Sequence, residues 1–271
     1  MRHMNTMPAL KPLIETPKAK VIDLALVVKK MEETKPIKYN KDGSVNKSRS
    51  NKVAGISSEV YPFTSEVEIK SMIDVFDRRI DEATDESRRQ IACRNKMLFL
   101  VGINLGIRAS DLCGLKYSFF INNDGTFKDG YSLQPKKTKK SGKYVKLYFN
   151  QTVKKAIADY LVDYPMMNMD EYLFKSKKGG AITEKSLWKI IVNTAIDAGI
   201  DSKNVGTHSL RKTFGYHIWH NAEDKEKALV MLMAIFNHSS VATTKKYIGI
   251  MDEEIEDVFN NLNLGLDFLN K

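Results

Sequence analysis

The stretch from Thr207 to Ile248 concentrates the side chains of this chain best suited to chemistry. It reads THSLRKTFGYHIWH, then AIFNHSSVATTKKYIG. His208 and Arg211 stand three residues apart, His238 follows, and Tyr247 comes nine residues after it. On a helix, positions i and i+3 share a face, so His208 and Arg211 can point into one site. A phosphodiester calls for such a set: cationic donors for its non-bridging oxygens, a proton carrier and a nucleophile. No cysteine, Ser-His-Asp order or carboxylate cluster stands beside them. That directs the search to an upstream arginine, and GINLGIRASDLCGLKY supplies Arg108, with Asp111 one turn on.

Taken in order, Arg108, His208, Arg211, His238 and Tyr247 resemble the tyrosine recombinases of the phage integrase family. GIRASDLCGL is similar to the family's first arginine box, HSLRKTF to its His-x-x-Arg box and NHSSVATTKKYIG to its last box. A lone His-x-x-Arg arises often by chance, whereas three boxes in order do not. The resemblance covers roughly residues 61 to 250 and implies a helical catalytic domain with a small antiparallel β-hairpin. It also implies site-specific cutting and rejoining of double-stranded DNA through a 3′-phosphotyrosyl intermediate. Such a linkage stores the energy of the broken bond, so neither ATP nor a metal or other cofactor is called for. Integration or excision of a mobile element, or multimer resolution through a Holliday junction, would be the setting. A homo-oligomer on DNA, a dimer or tetramer, and an accessory DNA-bending or directionality protein would be the partners. A type IB topoisomerase shares this chemistry, and a DNA-binding regulator with the same fold and little cleavage is a second class.

The residue types fit these roles. Arg108 and Arg211 suit equatorial phosphate oxygens, because a guanidinium donates two parallel hydrogen bonds and stays charged. Tyr247 is the expected nucleophile; its phenol, with a reference pKa of ~10, needs cationic neighbours to attack. Tyr216 rivals it by proximity to Arg211 but falls on the core face of its helix. His208 and His238 would share proton handling. His217 and His220 lack a cysteine or carboxylate pattern that would complete a zinc site. The family places its general acid, a lysine, in the β-hairpin, and Lys137 in PKKTKKSGK matches best. Lys136, Lys139, Lys140 and Lys143 leave that register open and are candidate DNA contacts. Lys177, Lys178, Lys212 and Lys245 join them as candidates, with Lys175, Lys185, Lys189 and Lys246, although each alone reads as a solvated surface charge. Asp111 is expected to orient an arginine or histidine.

The elements that must position these residues can be read too. Of 271 residues, 42% are hydrophobic and 28% charged, as in a globular domain. Lys+Arg 43 against Asp+Glu 33 leaves +10, which favours a polyanionic partner. Cys93 and Cys113 sit in apolar helical patterns and read as core thiols in a reducing cytosol. No apolar run approaches the ~20 residues of a membrane span, so a cytoplasmic protein is expected, with no membrane partner.

Residues 1 to 60 carry Pro8, Pro12, Pro17 and Pro36 and a polar, basic run from Tyr39 to Lys52. They read as a basic, partly flexible arm with one helix, Ala19 to Glu33, in place of the family's N-terminal core-binding domain. Residues 61–271 read as the catalytic domain. Ser65 and Glu68 form a capping box, opening a helix with Val67, Ile69, Met72, Ile73, Phe76 and Ile80 inward. A second helix runs from about Glu86 to Leu105 and ends at Gly106. Strands at Tyr131–Gln134 and Tyr144–Phe149 flank the basic tip, Lys136 to Lys143. Helices follow over Thr152–Val162, Glu184–Ala198, the His208 segment, Ala228–Phe236 and the Tyr247 segment. A C-terminal apolar stretch, Asp252 to Phe268 within the tail 252–271, either folds back or docks on a neighbouring protomer. The fold class is mainly α, with a small antiparallel sheet. Asn237 departs from the family, which has glycine before that histidine. The 27-residue gap from Arg211 to His238 is also long, the excess falling in NAEDKEK.

Overall fold

The computed structural model describes residues 60–137, Gly142, 144–250 and Phe259. The expected arm and its helix, Lys139, Lys140 and Lys143, and the expected C-terminal stretch Asp252 to Phe268, Phe259 apart, lie outside these residues.

The domain opens as its capping signals dictate. Ser65 Oγ accepts the Glu68 N–H at 3.1 Å, and the Glu68 carboxylate accepts the Ser65 N–H at 3.1 Å, starting α1 (Glu66–Asp81). Met72 and Phe76 are fully buried, but the expectation for Val67 is corrected: it is 74% exposed, and Val75 takes an inward place at 4%. At 100° per residue Val67 lies some 140° round from Met72, off the apolar stripe, whereas Val75 lies within about 60°. Asp85 caps α2 (Glu86–Leu105), whose Met97, Leu98, Phe99 and Val101 are all buried. An apolar surface of that breadth belongs to a central helix, and α2 packs against α1, α4 and α6. It stops at Gly106, in the left-handed conformation at φ 59°.

Arg108 then caps the short α3 (Ala109–Cys113). Strands β1 (Gly130–Leu133) and β2 (Val145–Tyr148) pair antiparallel, Gly130 opposite Tyr148 and Leu133 opposite Val145. The hairpin tip therefore falls where the lysine-rich run lies. Asn150 caps α4 (Gln151–Asp163) and Thr183 caps α5 (Glu184–Asp197). Three helices close the described chain: α6 (Thr207–His220), α7 (Lys225–Phe236, capped by Asp224) and α8 (Val241–Ile248, capped by Ser240). The result is a mainly helical fold with one two-stranded antiparallel sheet among the described residues.

Two apolar clusters form. The larger joins α1 to α5, the hairpin and Leu210 of α6. The smaller gathers Tyr216, Leu229, Leu232, Phe236, Ile248 and Ile250 from α6 to α8 and the residue beyond α8's glycine. Helix α6 thus feeds both. Gly215 lets α6 approach α7 and α8 closely, since a Cβ there would lie 2.6 Å from Ile248 and 2.9 Å from Phe236. Asn237, ending α7 at φ 53°, is the one non-glycine with positive φ among the described residues. That is the left-handed conformation a glycine would favour, and asparagine tolerates it best of the larger residues. Cys113 is buried and Cys93 partly so, both as free thiols.

Candidate active site

The site lies where the two clusters meet, and Arg211 holds its centre. Leu210 and Tyr216 anchor α6 on either side, leaving Arg211 itself 6% exposed. Its Nη1 donates to the Gly106 carbonyl at 2.5 Å and its Nη2 to the Phe236 carbonyl at 3.1 Å. Those carbonyls belong to the C-terminal ends of α2 and α7, where unsatisfied acceptors and the helix dipole favour a cation. The guanidinium also rests on the Phe236 ring, 4.2 Å from its centroid. Burial pushes its pKa down to about 10, so it remains a cation at neutral pH.

Tyr247, on α8, reaches the same place. Its hydroxyl lies 3.3 Å from His208 Nδ1, and the Arg211 guanidinium stands 5.9 Å from its ring centroid. His238 and Phe236 pack edge-on against that ring, centroids 5.1 and 5.4 Å away. Burial raises the Tyr247 phenol above its usual 10, while the charges of Arg211 and Arg108 pull it back. His208 and His238 are both held below 6.5. Burial is the first cause in each, followed by Arg211, then Lys212 at His208 and Arg108 at His238. At neutral pH both rings are therefore uncharged and able to accept a proton. His238 Nδ1 meets the hydroxyl of Thr244, a fully buried residue, at 3.1 Å. Tyr216 is 7% exposed, on the core face of α6. His217 Nε2 lies 3.0 Å from the Phe63 carbonyl, and His220 stacks on Tyr216.

Arg108, half-buried at the start of α3, lines a cleft of about 350 Å³ with Tyr144, Lys146, Ile235 and Asn237. With Gly106, Asp111 and Arg211 it also lines the narrow space beneath. Asp111 is 4% exposed, and its carboxylate accepts the Lys136 N–H at 2.8 Å. Asp111 thus ties down the start of the lysine run, and its charge also reaches Arg211. The two neighbouring lysines diverge. Lys136 Nζ sits over Gly114 at the end of α3, and the charge of Lys137 reaches His208.

Other lysines fall differently from the surface expectation. Lys212 is 6% exposed, with its ammonium 5.5 Å from the Tyr247 ring centroid. It follows Arg211 on a helix covered by α8, which takes it out of solvent. Lys245 pairs with Glu226 at 3.6 Å and Lys175 with Glu171 at 3.2 Å. Lys178, Lys185, Lys189 and Lys246 are exposed. Lys177 is exposed too, but lines a separate cavity with Arg94. Sequence reasoning missed Thr244, Glu184, whose charge opposes the downward shift of His208, and the two carbonyls that hold Arg211. Thr244 sits three before Tyr247, a spacing that could have flagged it. A backbone carbonyl leaves no trace in residue type.

Cations and neutral imidazoles thus gather around one phenol on a mainly helical fold. Residues 63–254 match the model of the phage integrase family, and the chain belongs to that family. It is 35% identical over 177 residues to the probable integrase/recombinase YoeC of Bacillus subtilis, covering 64% of this chain and 88% of that protein. It is 25% identical over 180 residues to the tyrosine recombinase XerC of Halalkalibacterium halodurans, covering 66% of this chain but 57% of that protein. Among solved structures the XerA recombinase shares the fold at TM-score 0.54 and 23% identity, covering 78% of this chain and 66% of that one. XerH, captured with a palindromic difH substrate after cleavage, does so at TM-score 0.52 and 19% identity, covering 77% and 55%. No helix among the described residues is long and apolar enough to cross a membrane.

Proposed function

We propose that the chain is a site-specific DNA recombinase that cuts one strand with Tyr247 and passes the held end to another. The Tyr247 oxygen attacks the scissile phosphorus as the bond to the 5′ oxygen breaks, leaving a 3′-phosphotyrosine. His208 takes the phenolic proton. Arg108 and Arg211 hold the non-bridging oxygens, His238 hydrogen-bonds the phosphate, and Lys137 gives the leaving 5′ oxygen its proton. The released hydroxyl of a second strand then reverses the step, through a Holliday junction. The observation that carries this reading is the convergence of Arg211, His208 and His238 on the Tyr247 side chain.

Double-stranded DNA would be bound by Lys136, Lys137, the tip lysines and the exposed cation Lys178. Lys212, enclosed beside Tyr247, would act on the site and not on the distant backbone. Assembly as a dimer or tetramer on DNA, and help from a DNA-bending or directionality protein, belong to the same reading. So does a role in integrating or excising a mobile element or in resolving multimers.

Covalent trapping tests the core of it. Nicked suicide duplexes carrying candidate attachment sequences are incubated with the protein and run on denaturing gels beside Tyr247→Phe. A shifted band absent from the variant is expected. A band that persists in the variant reassigns the nucleophile, and tight binding without any adduct points to a non-cleaving DNA-binding protein.

A further inference from the structure

Away from Tyr247, the middle of α2 borders a cavity of about 510 Å³, within the range of small-molecule sites. Its wall includes Arg94, Tyr117, Tyr160 and Tyr164, with Ser176 and Lys177 at its edge. Arg94 is the unusual member. It is 8% exposed, yet among the described residues no carboxylate pairs with it. Its hydrogen-bond partners are neutral: Nη1 donates to the Lys175 carbonyl at 2.7 Å, and Nε and Nη2 donate to Asn95 Oδ1 at 3.2 and 2.7 Å. A buried cation without a counter-charge is costly unless something anionic completes it. Glu171 also borders the cavity, but its carboxylate is held by Lys175 Nζ at 3.2 Å.

The walls say what kind of anion fits. Tyr160 and Tyr164 lie 5.2 Å apart, and burial raises the phenols of Tyr117, Tyr160 and Tyr164, so all three stay neutral. The Tyr164 hydroxyl is enclosed; it lies near Glu86 and Cys93 without a hydrogen bond of proper geometry to either. Aromatic walls suit a planar ring. A buried guanidinium backed by an exposed lysine suits a phosphate dianion better than a single carboxylate.

We infer that this cavity is a ligand site, separate from the recombination centre, for a phosphate monoester bearing a planar ring, of mononucleotide size. Arg94 and Lys177 take the phosphate and the tyrosines take the ring. The site does not depend on the recombinase reading.

Calorimetric titration with thymidine 5′-monophosphate tests it, on protein carrying Arg108→Ala so that the recombination centre no longer offers its own phosphate contacts. Saturable one-site binding is expected, weakened at least about tenfold by Arg94→Met and about threefold by Lys177→Gln. Thymidine, which lacks the phosphate, should bind at least about tenfold more weakly than the nucleotide. Lys177 is exposed, so its variant reads the site even where Arg94→Met disturbs folding. Melting temperature without ligand shows whether Arg94→Met disturbs folding, and where it does the Lys177→Gln arm and the thymidine comparison decide. Nucleotide binding untouched by both substitutions, or thymidine binding as well as the nucleotide, overturns the inference. So does a protein that binds neither.

Discussion

In the proposed reaction a phenol must attack phosphorus, and it starts badly, because at neutral pH it holds its proton, and burial of Tyr247 makes that worse. The compensation lies in its neighbours. His208 and His238 are pushed below 6.5, so each is a free base at pH 7. If His208 is the acceptor, the cleavage rate should fall as pH drops, with a midpoint below 6.5, and His208→Ala should remove that limb; single-turnover cleavage from pH 5 to 8 measures it. The same shifts bear on stability. The unfolded chain, with ordinary histidines, binds more protons than the folded one in the window between the lowered pKa values and 6.5. Their contribution is thus fully present above 6.5 and lost as pH falls below it. Arg211 carries a different burden. Lysine in its place keeps a charge but cannot reach the Gly106 and Phe236 carbonyls together while facing a phosphate. Arg211→Lys should lower the cleavage rate about 10²–10³-fold. It should also cost about 2–4 kcal/mol in urea unfolding, since two buried, charge-assisted bonds are lost. An unchanged urea midpoint would show that those carbonyl contacts do not support the fold.

At the level of elements, the turn from α2 to α3 governs the site. Gly106 holds φ 59°, and a Cβ there would run into the Phe214 ring of α6. Gly106→Ala should therefore cost more than about 2 kcal/mol. It should also reduce cleavage, because the carbonyl that holds Arg211 moves with the turn; thermal unfolding and the trapping gel read the two effects. This turn was legible in advance, as were the capping box at Ser65, the hairpin around the lysine run and the helices carrying His208 and Tyr247. Each rests on a local signal: a cap, a glycine, a period. What stayed hidden was decided by distant chain. Val67 and Val75 are the same residue type, and only their angle to Met72 separates them. Lys212 is a surface lysine by composition and an enclosed one because α8 covers it. Asp111 reads as a partner for a side chain, and its carboxylate takes the Lys136 amide, which only the folded hairpin brings near. Arg94 showed nothing in the sequence beyond a basic residue on an apolar helix.

For the whole molecule, the excess of ten positive charges matters more than any single lysine. Several described lysines are already engaged, Lys175 and Lys245 by carboxylates and Lys212 beside Tyr247. DNA affinity should then rest on the remaining exposed cations and the site arginines. About six phosphate contacts predict a log–log salt slope of about −5, a thousandfold loss of affinity from about 50 to 200 mM salt. Fluorescence anisotropy on one duplex measures it, and a slope near −1 would contradict a phosphate-dominated interface.

Arg211 is tied to the ends of two helices from different parts of the chain, one in each apolar cluster. A copy in which α7 has come away, or α2 has not yet docked, has its arginine unmoored beside the phenol. Such a copy is chemically silent. Damage by heat or misfolding would therefore silence the proposed strand cleavage. For that reaction, this is a fail-safe built from two carbonyl oxygens.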